Sequence, residues 1–421
     1  MAEHGIRPVR RNEPILCPGS AAGDVLPFEL RLMLACAQSA PDRQVIATIR
    51  GCLLDGIDWT TFVGSVLDHG LTGPVGRTLA RIGPDVVPQD ILDAFWTHTE
   101  RTRRQNIARF AELARILDAL ARQGIDAIPF KGPVAAIQAY GDIGLRAFRD
   151  LDFLIHEADL PRALPILADL GYARQKALTP AQLDLIHRLQ GQEIMPPKKG
   201  TVIEPHTRLV SMKMGLGIDY SGLFARAQPI DLGGRKVLTF SPEDTLIALA
   251  IHGGKELWWR INWVCDVATF IAATPTLDWT TVLERSRVQG CRRMVLLAIS
   301  LARLFFDAHI PHSIIAAERA DRRLPKMVRR IATAWRDGRD RPPSHKVISS
   351  DLFYLHDRLA ARANYVIRTL FLPGPHHVGW LALPRSLQFA YVPLKLVHDL
   401  FMLPAWNLYQ SARRREQKLT G

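Results

Sequence analysis

Residues 128–155, with the sequence IPFKGPVAAIQAYGDIGLRAFRDLDFLI, decide the fold that we predict for this chain. A short apolar run ends at Lys131-Gly132, and a helical pattern over 133–140 follows it. A second strand-like run, residues 150–156, comes after a loop that contains two glycines. A strand, a glycine turn, a helix and another strand in this order are typical of a compact α/β or α+β unit.

Two aspartates, Asp150 and Asp152, begin the second strand-like run. On a strand their side chains project from one face, while Leu151 and Phe153 project from the other. Neighbouring carboxylates repel each other unless a cation lies between them. Mg²⁺ is commonly held by carboxylates together with substrate phosphates. The pair alone is equally typical of two solvated acids, so its meaning depends on its neighbours.

The turn at Lys131-Gly132 is the first of these neighbours. A glycine between a strand and a helix lets backbone N–H groups approach phosphate, and the helix N-terminus adds a favourable dipole. Lys131 adds a point charge for the same phosphates; the alternative is an ordinary turn with an exposed lysine. Of Arg146 and Arg149, we expect one to contact phosphate and the other to neutralise Asp150.

Composition limits the partners but not the chemistry. Lys+Arg 54 against Asp+Glu 41 gives a net charge of +13, which favours anionic partners such as nucleotides, nucleic acid or an acidic membrane. The five cysteines are widely spaced and form no Cys-x-x-Cys pair, which predicts a reducing, cytoplasmic setting without a disulfide framework. The best apolar window, 294–306, is interrupted by Arg303, so we predict no transmembrane segment.

The 421 residues suggest two or three domains. Within the middle of the chain, 161–170 favours a helix and 201–209 a strand. The predicted division is a flexible leader over 1–27, a helical region over 28–108, an α+β core over 109–240, a helical domain over 241–405 and a basic tail over 406–421.

These motifs carry a resemblance. The pattern Lys131-Gly132 followed by Asp150-Leu151-Asp152 resembles the bacterial nucleotidyltransferase-like proteins of the DNA polymerase β superfamily. The similar branch has Lys-Gly where the superfamily more often has Gly-Gly or Gly-Ser. TVIEPH at 201–206 is similar to its later acid-x-His strand, AIHGGKELWWRINWVCDVATFI at 250–271 to its His-Gly helix, and 380–401 to its C-terminal helical part.

The resemblance implies a fold and an activity. The fold is α+β: a small mixed-sheet, polymerase-β-type nucleotidyltransferase core, flanked by N- and C-terminal helical regions. The activity is transfer of a nucleoside monophosphate from an NTP to an acceptor hydroxyl, with release of pyrophosphate and with Mg²⁺ or Mn²⁺ as cofactor. Asp150, Asp152 and Glu204 would hold the metal and act in catalysis. The nucleotide would be bound by Lys131, Gly132, Arg146 and Lys255.

The strand that carries Glu204 departs from the family pattern at two positions. Pro205 has no N–H to donate, so we expect this strand to lie at a sheet edge or to be bulged. Thr207 stands where an aromatic residue is common. Catalysis would be weakened if Glu204 were not aligned with the two aspartates. His206 is either a neighbour of the metal that orients the acceptor or a structural hydrogen-bonding residue.

A helix is predicted after Ser241-Pro242, and the spacing of five residues on it suggests a shared face. One interpretation is a wall over the nucleotide, with a lysine on phosphate and a tryptophan against the base. The other is a packing face. The residues are His252, Lys255, Trp259, Trp263 (or Asn262) and Asp266.

Three further segments have weaker patterns. The basic stretch 322–343 is predicted to be a linker or exposed loop, and His376-His377 after Pro-Gly-Pro is predicted to lie in a loop. Residues 387–402 have amphipathic helical spacing, which favours packing onto the domain over contact with a membrane surface.

The sequence leaves the acceptor open among a protein, a peptide or small molecule and an RNA 3′ end. Relatives of the branch often accompany bacterial peptide biosynthesis, so a peptide acceptor is worth testing. Two other functions remain as alternatives. One is a catalytically inactive nucleotide-binding scaffold of a biosynthetic complex, because of Glu204-Pro205. The other is an RNA-binding protein, because of the positive charge, although no RNA-binding module signature is present.

Overall fold

A computed structural model describes residues 25–173, 178–197, 200–338 and 349–402. The basic tail and all but the last three residues of the predicted leader lie outside the described residues. The architecture is α+β, with helices on both sides of the strands in sequence, as predicted. No helix in the described ranges is both long enough and apolar enough to cross a membrane.

Five helices precede the first strand. Asp42 and Asp58 begin the second and third of them by accepting backbone N–H groups of the first helical turn. The fifth helix has 33 residues, so it is about 50 Å long, and it continues through the predicted boundary at residue 108. The fold does not test the predicted domain limits, which remain a prediction. The helices are α1 Phe28–Cys36, α2 Arg43–Leu54, α3 Trp59–Asp68, α4 Thr72–Ile82 and α5 Gln89–Ala121.

A three-stranded mixed sheet follows. Strand β2 (Asp150–Ile155) is central, pairs antiparallel with β1 (Ala127–Pro129) and pairs parallel with β3 (Val202–His206). Helix α6 (Pro133–Tyr140) joins β1 to the loop before β2, and α7 (Leu160–Asp169) follows β2. The predicted strands and helices of this region are confirmed.

The two faces of β2 have different partners. Leu151 and Phe153 are fully buried in a core with Leu113 and Ile116 of α5. Apolar burial of this kind fixes the register, because a slip of one residue would turn every side chain to the other face. The aspartates that alternate with these residues consequently share the opposite face.

Strand β3 lies at the edge of the three-stranded sheet, as expected from Pro205. Its outer side is covered by the segment after α8 (Pro180–Gln190), where the Glu193 N–H donates to the Pro205 carbonyl at 3.1 Å. Only a carbonyl is needed from Pro205 at this position, which is why the missing N–H is tolerated.

A second pair of strands, β4 (Gln228–Leu232) and β5 (Arg235–Thr239), follows α9 (Tyr220–Ala225) as a hairpin. Most of the rest of the described chain is helical, and its buried apolar residues between 246 and 365 form one large core with α1–α4. These helices are α10 Pro242–Lys255, α11 Ile261–Ala273, α12 Trp279–Gln289, α13 Arg292–Phe306, α14 His312–Ala320, α15 Leu324–Arg336, α16 Ser350–Leu355, α17 Leu359–Phe371, α18 Pro375–Val378 and α19 Tyr391–Val397.

The single helix predicted through 250–271 is wrong. Helix α10 ends at Lys255, and Leu257 and Trp258 both adopt the left-handed conformation, with φ of 54° and 55°, before α11 begins. The reversal lets the Trp258 ring lie fully buried against Gly253, where a Cβ atom would be 2.2 Å from the ring. Burial of a large aromatic side chain offsets the strain of two left-handed residues.

Two other segments differ from expectation. Residues 324–336 of the predicted basic linker form α15, whose buried side includes Val328 and Trp335 while its arginines face outward. His376 and His377 lie in the one-turn helix α18 rather than in a loop. In the C-terminal amphipathic segment, Tyr391 is fully buried but Phe389 is 71% exposed, so only part of the expected packing face is covered.

The loop between α6 and β2 is tied to α5 by a buried side chain. The Asn106 amide donates to the carbonyl of Ile143 at 2.7 Å and to that of Arg146 at 2.9 Å. Arg103, one turn earlier, forms a salt bridge with Asp142. These contacts fix the backbone that leads directly into Asp150.

Replacement of Asn106 by Ala should lower the free energy of unfolding by about 1–3 kcal/mol, because two carbonyl groups lose their buried donor. Urea unfolding of the purified chain measures this change. The matched control is Gln105→Ala at the neighbouring exposed position, with an expected change within about 0.5 kcal/mol. Equal losses in the two variants would contradict the tethering role.

Candidate functional site

The register of β2 and β3 brings three predicted site residues together. Asp152 lies directly opposite Glu204, and His206 is two positions further along the same face of β3. One ligand atom from each of these three side chains lies within 4.8 Å of the other two. Asp150 shares their face two positions earlier, opposite Val202. Glu204 is thus on the same side of the sheet as the aspartates.

Asp152 is the centre of a buried hydrogen-bond network. Its Oδ1 accepts from Lys131 Nζ and contacts His206 Nε2, both at 2.9 Å. His206 Nδ1 lies 3.2 Å from the Arg208 carbonyl, to which it donates, and its Nε2 is 3.7 Å from Glu204 Oε2. The Lys131 ammonium group and the His206 ring therefore both contact a carboxylate that is only 3% exposed.

The two aspartates have opposite electrostatic environments. Burial raises the pKa of Asp150, and the charges of Asp152 and Glu204 raise it further. Burial acts in the same direction on Asp152, but the charge of Lys131 and the hydrogen bond from His206 outweigh it and hold the pKa of that carboxyl well below its usual value. Asp152 is the permanently charged member of the pair.

Gly132 provides the turn that begins α6. Its φ of 57° and ψ of −125° suit glycine, and Pro133 at the first helical position starts the helix. A Cβ atom here would lie 3.6 Å from the Asp150 carbonyl, so the turn packs directly beside the aspartate strand.

A cleft of about 500 Å³ opens at this turn, and we call it the first cleft. Lys131, Gly132, Asp150 and Asp152 line it, together with the loop before β2 and the start of α11. His252 also lines it, and burial together with the charges of Lys131 and Lys255 holds its pKa well below the usual value. The predicted phosphate turn and the predicted metal-binding aspartates thus share one cleft.

Arg146 lines the first cleft, but its charge is already paired. It forms a salt bridge with Asp266 of α11 at 2.9 Å, and the Tyr140 hydroxyl donates to the same carboxylate at 2.8 Å. Burial alone would lower the pKa of Arg146, yet Asp266 raises it overall. Arg146 therefore joins the loop before β2 to the C-terminal helices, and its counter-charge is Asp266 rather than Asp150.

Lys255 and Trp259, which were predicted to share one helix face, do not line the same cleft. Lys255 does not line the first cleft but a second one, described below. Trp259 lies edge-on to Trp263, with ring centroids 5.5 Å apart, and Trp263 is the member of this pair that lines the first cleft. His252 contacts the same Trp263 ring at 5.1 Å.

Two further arginines, Arg149 and Arg260, line the first cleft. Arg149 forms no salt bridge within the described part of the chain, and the same is true of Arg260, which stacks on the Trp259 ring at 4.5 Å. Their position beside the acids, in Arg149-Asp150, and beside the tryptophan pair was visible in the sequence. What the sequence did not show was that Arg146 has a partner and these two do not.

The donor set fits a divalent cation. Asp152 and Glu204 offer carboxylate oxygens on one face, with Asp150 beside them. His206 Nε2 also faces the acids, but it donates to Asp152 Oδ1 and would have to lose that proton before it could bind a cation. Carboxylate oxygens suit Mg²⁺ and Mn²⁺, and a single imidazole is compatible with Mn²⁺.

The chain belongs to the protein family described as an uncharacterised nucleotidyltransferase, whose model matches residues 55–307, more than half of the chain. Membership supports nucleotidyl transfer as the general class of function. A crystal structure described as an antigenic nucleotidyltransferase-like protein from Paracoccidioides brasiliensis is 17% identical and covers 50% of this chain and 95% of its own. Its TM-score of 0.30 does not show a shared fold. No curated protein matches the chain.

In the metal-free protein, asparagine substitutions at Asp150 and Asp152 should change stability in opposite directions. Asp150→Asn should raise the unfolding temperature at neutral pH, because the raised pKa means that ionised Asp150 destabilises the folded state. This gain should shrink as the pH falls through that pKa. Asp152→Asn should cost on the order of 3 kcal/mol at neutral pH, because Lys131 and His206 lose a charged partner.

Thermal unfolding in EDTA at neutral and acidic pH checks both changes. The control is Asp126→Asn, an exposed aspartate near β1, for which no change is expected. A loss of stability in both site variants at neutral pH would contradict the assignment of opposite environments.

Proposed function

We propose that this protein is an Mg²⁺- or Mn²⁺-dependent nucleotidyltransferase that moves a nucleoside monophosphate from an NTP to an acceptor hydroxyl and releases pyrophosphate. The observation that carries the proposal is the pairing of Glu204 with Asp152, which lines the first cleft together with Lys131 and Gly132. Family membership supports the same class of reaction.

The first cleft suits a triphosphate. Lys131 and the backbone at Gly132 lie beside the aspartates, and the N-terminus of α6 adds its dipole. Arg149 and Arg260 bring two further positive charges that no carboxylate of the described residues pairs with. The Trp263 ring on the same wall offers a surface for the base.

Asp150, Asp152 and Glu204 would hold the metal, which supplies positive charge against the developing charge of the reacting phosphate. Glu204, half-buried and 18% exposed, is the carboxylate that accepts the proton of the acceptor hydroxyl. The hydroxyl oxygen then forms its bond to the α-phosphorus while the bond to pyrophosphate breaks. Pyrophosphate leaves with the electron pair, and Lys131 and Arg149 are placed to neutralise it.

Glu204→Gln should reduce pyrophosphate release by about a hundredfold or more while Mg²⁺-dependent binding of ATP, GTP, CTP or UTP persists, because the amide cannot accept the acceptor's proton. Calorimetry measures binding, and labelling of cell extract with α-³²P NTPs measures transfer and reveals the acceptor. The matched control is Glu284→Gln, an exposed glutamate on α12 paired with Arg287, which should behave as wild type.

Two outcomes would reject the proposed function. One is wild-type chain that binds none of the four NTPs in the presence of Mg²⁺ or Mn²⁺. The other is an Asp150→Ala, Asp152→Ala double variant that releases pyrophosphate as fast as wild type.

Arg149→Gln should weaken Mg-NTP binding about tenfold, which corresponds to about 1.4 kcal/mol. The unfolding temperature should not change, because this exposed side chain pairs with no described carboxylate. Arg101→Gln on the exposed side of α5 is the control for loss of one positive charge. Equal nucleotide affinity in Arg149→Gln and Arg101→Gln would remove Arg149 from the site.

A further inference from the structure

A second cleft of about 510 Å³ lies between the end of α8, the turn at residues 211–214, the end of α10 and the C-terminal helices. The charged and polar side chains that matter in it belong to five different elements or loops. They are Gln192, Lys213, Lys255, Lys395 and Asp399.

The acid cluster contacts residues of both clefts. Asp150 and Asp152 line the first cleft, whereas Glu204 Oε2 accepts from Gln192 Nε2 at 3.5 Å, and Gln192 lines the second cleft. In-line phosphoryl displacement needs the attacking and the leaving oxygen on opposite sides of the phosphorus. With the leaving pyrophosphate at Lys131 in the first cleft, the attacking group approaches from the second.

Two lysines in the second cleft have no ion pair. Neither Lys213 nor Lys255 forms a salt bridge with any residue in the described part of the chain, although both are half-buried. Burial lowers the pKa of both, and a neighbouring lysine lowers it further in each case, Lys395 for Lys213 and Lys131 for Lys255. An anion bound in this cleft beside either ammonium group would relieve both effects on that lysine.

Two acids line the second cleft, Glu256 beside Lys255 and Asp399, and Asp399 is already neutralised. Asp399 forms a salt bridge with Lys395 and accepts from His377 Nε2 at 3.1 Å and from His398 Nδ1 at 2.7 Å. The Gly374 N–H donates to His377 Nδ1, so Nε2 of this histidine carries its proton. Although ligand atoms of this cluster lie close enough for a metal, His377 offers no free lone pair, and the cluster is a hydrogen-bonded wall.

We infer that the second cleft binds the acceptor, and that the acceptor carries an anionic group, a carboxylate or a phosphate, besides the hydroxyl that reacts. The anionic group contacts Lys213 and Lys255, and the hydroxyl lies toward Glu204. Met214, Leu352 and Tyr365 on the same cleft provide apolar surface for the carbon skeleton. This inference rests on the proposed function, since it assigns the second substrate of that reaction.

The test uses three small phenols as probes on the full chain: 4-hydroxybenzoate, 4-hydroxyphenyl phosphate and the uncharged 4-hydroxybenzyl alcohol. Binding is measured by ligand-observed NMR with and without α,β-methylene-ATP, which keeps the phosphate probe out of the first cleft. The charged probes should bind about tenfold more tightly than the alcohol, and the better of the two identifies the anionic group.

Lys213→Met keeps the side-chain volume and should reduce this preference to less than about twofold without changing Mg-ATP affinity. Lys255→Met serves as a second variant if the first does not fold. Lys236→Met, at an exposed position of β5, is the matched control and should keep the preference. Equal binding of all three probes to wild type, or an unchanged preference in both lysine variants, would overturn the inference.

The two proposals fail in different ways. Wild type that prefers the charged probes but binds no Mg-NTP rejects the nucleotidyltransferase and with it the acceptor role. Wild type that binds Mg-NTP but does not discriminate among the probes rejects only the anionic acceptor.

Discussion

The repulsion among three carboxylates on one face of a small sheet is the constraint on which the site depends. Apolar packing of Leu151 and Phe153 against α5 fixes β2 in place, so Asp152 cannot turn away from Glu204. Lys131 and His206 stabilise the ionised form of Asp152. The pKa of Asp150, in contrast, is raised by burial and by the neighbouring carboxylates. A site of this kind lowers stability without a cation and gains it when a cation is bound.

The surrounding structure holds this arrangement by contacts between distant parts of the chain. Asn106 of α5 fixes the loop before β2, and Arg146 in that loop pairs with Asp266 of α11. The first cleft is therefore built from the N-terminal helices, the sheet and the C-terminal helices together. Its shape cannot be assigned to the sheet alone, although the acids and the Lys131-Gly132 turn all belong to the sheet region.

The sequence predicted the local elements of the core well, because strand and helix periodicity and the Lys131-Gly132 turn are local signals. Glu204 beside Asp152 followed from the resemblance, and Pro205 correctly indicated an edge strand. Salt-bridge partners that are remote in sequence could not be predicted. Arg146, for example, pairs with Asp266, which is 120 residues away. The break between α10 and α11 was missed because nothing in the residue pattern shows that the Trp258 ring packs on Gly253. The β4–β5 hairpin was not predicted, although Gly233-Gly234 between its strands is a typical turn sequence.

The left-handed turn at Leu257-Trp258 separates Lys255, on the second cleft, from Arg260, on the first. Trp335 donates to the Trp258 carbonyl at 2.7 Å, and the Trp258 ring is fully buried, so this partition is stiff. If the first cleft holds the nucleotide and the second cleft holds the acceptor, as proposed, both substrates are bound at the same time. The expected kinetics are those of a ternary complex with direct transfer, in which neither substrate must leave before the other enters and no covalent enzyme adduct accumulates.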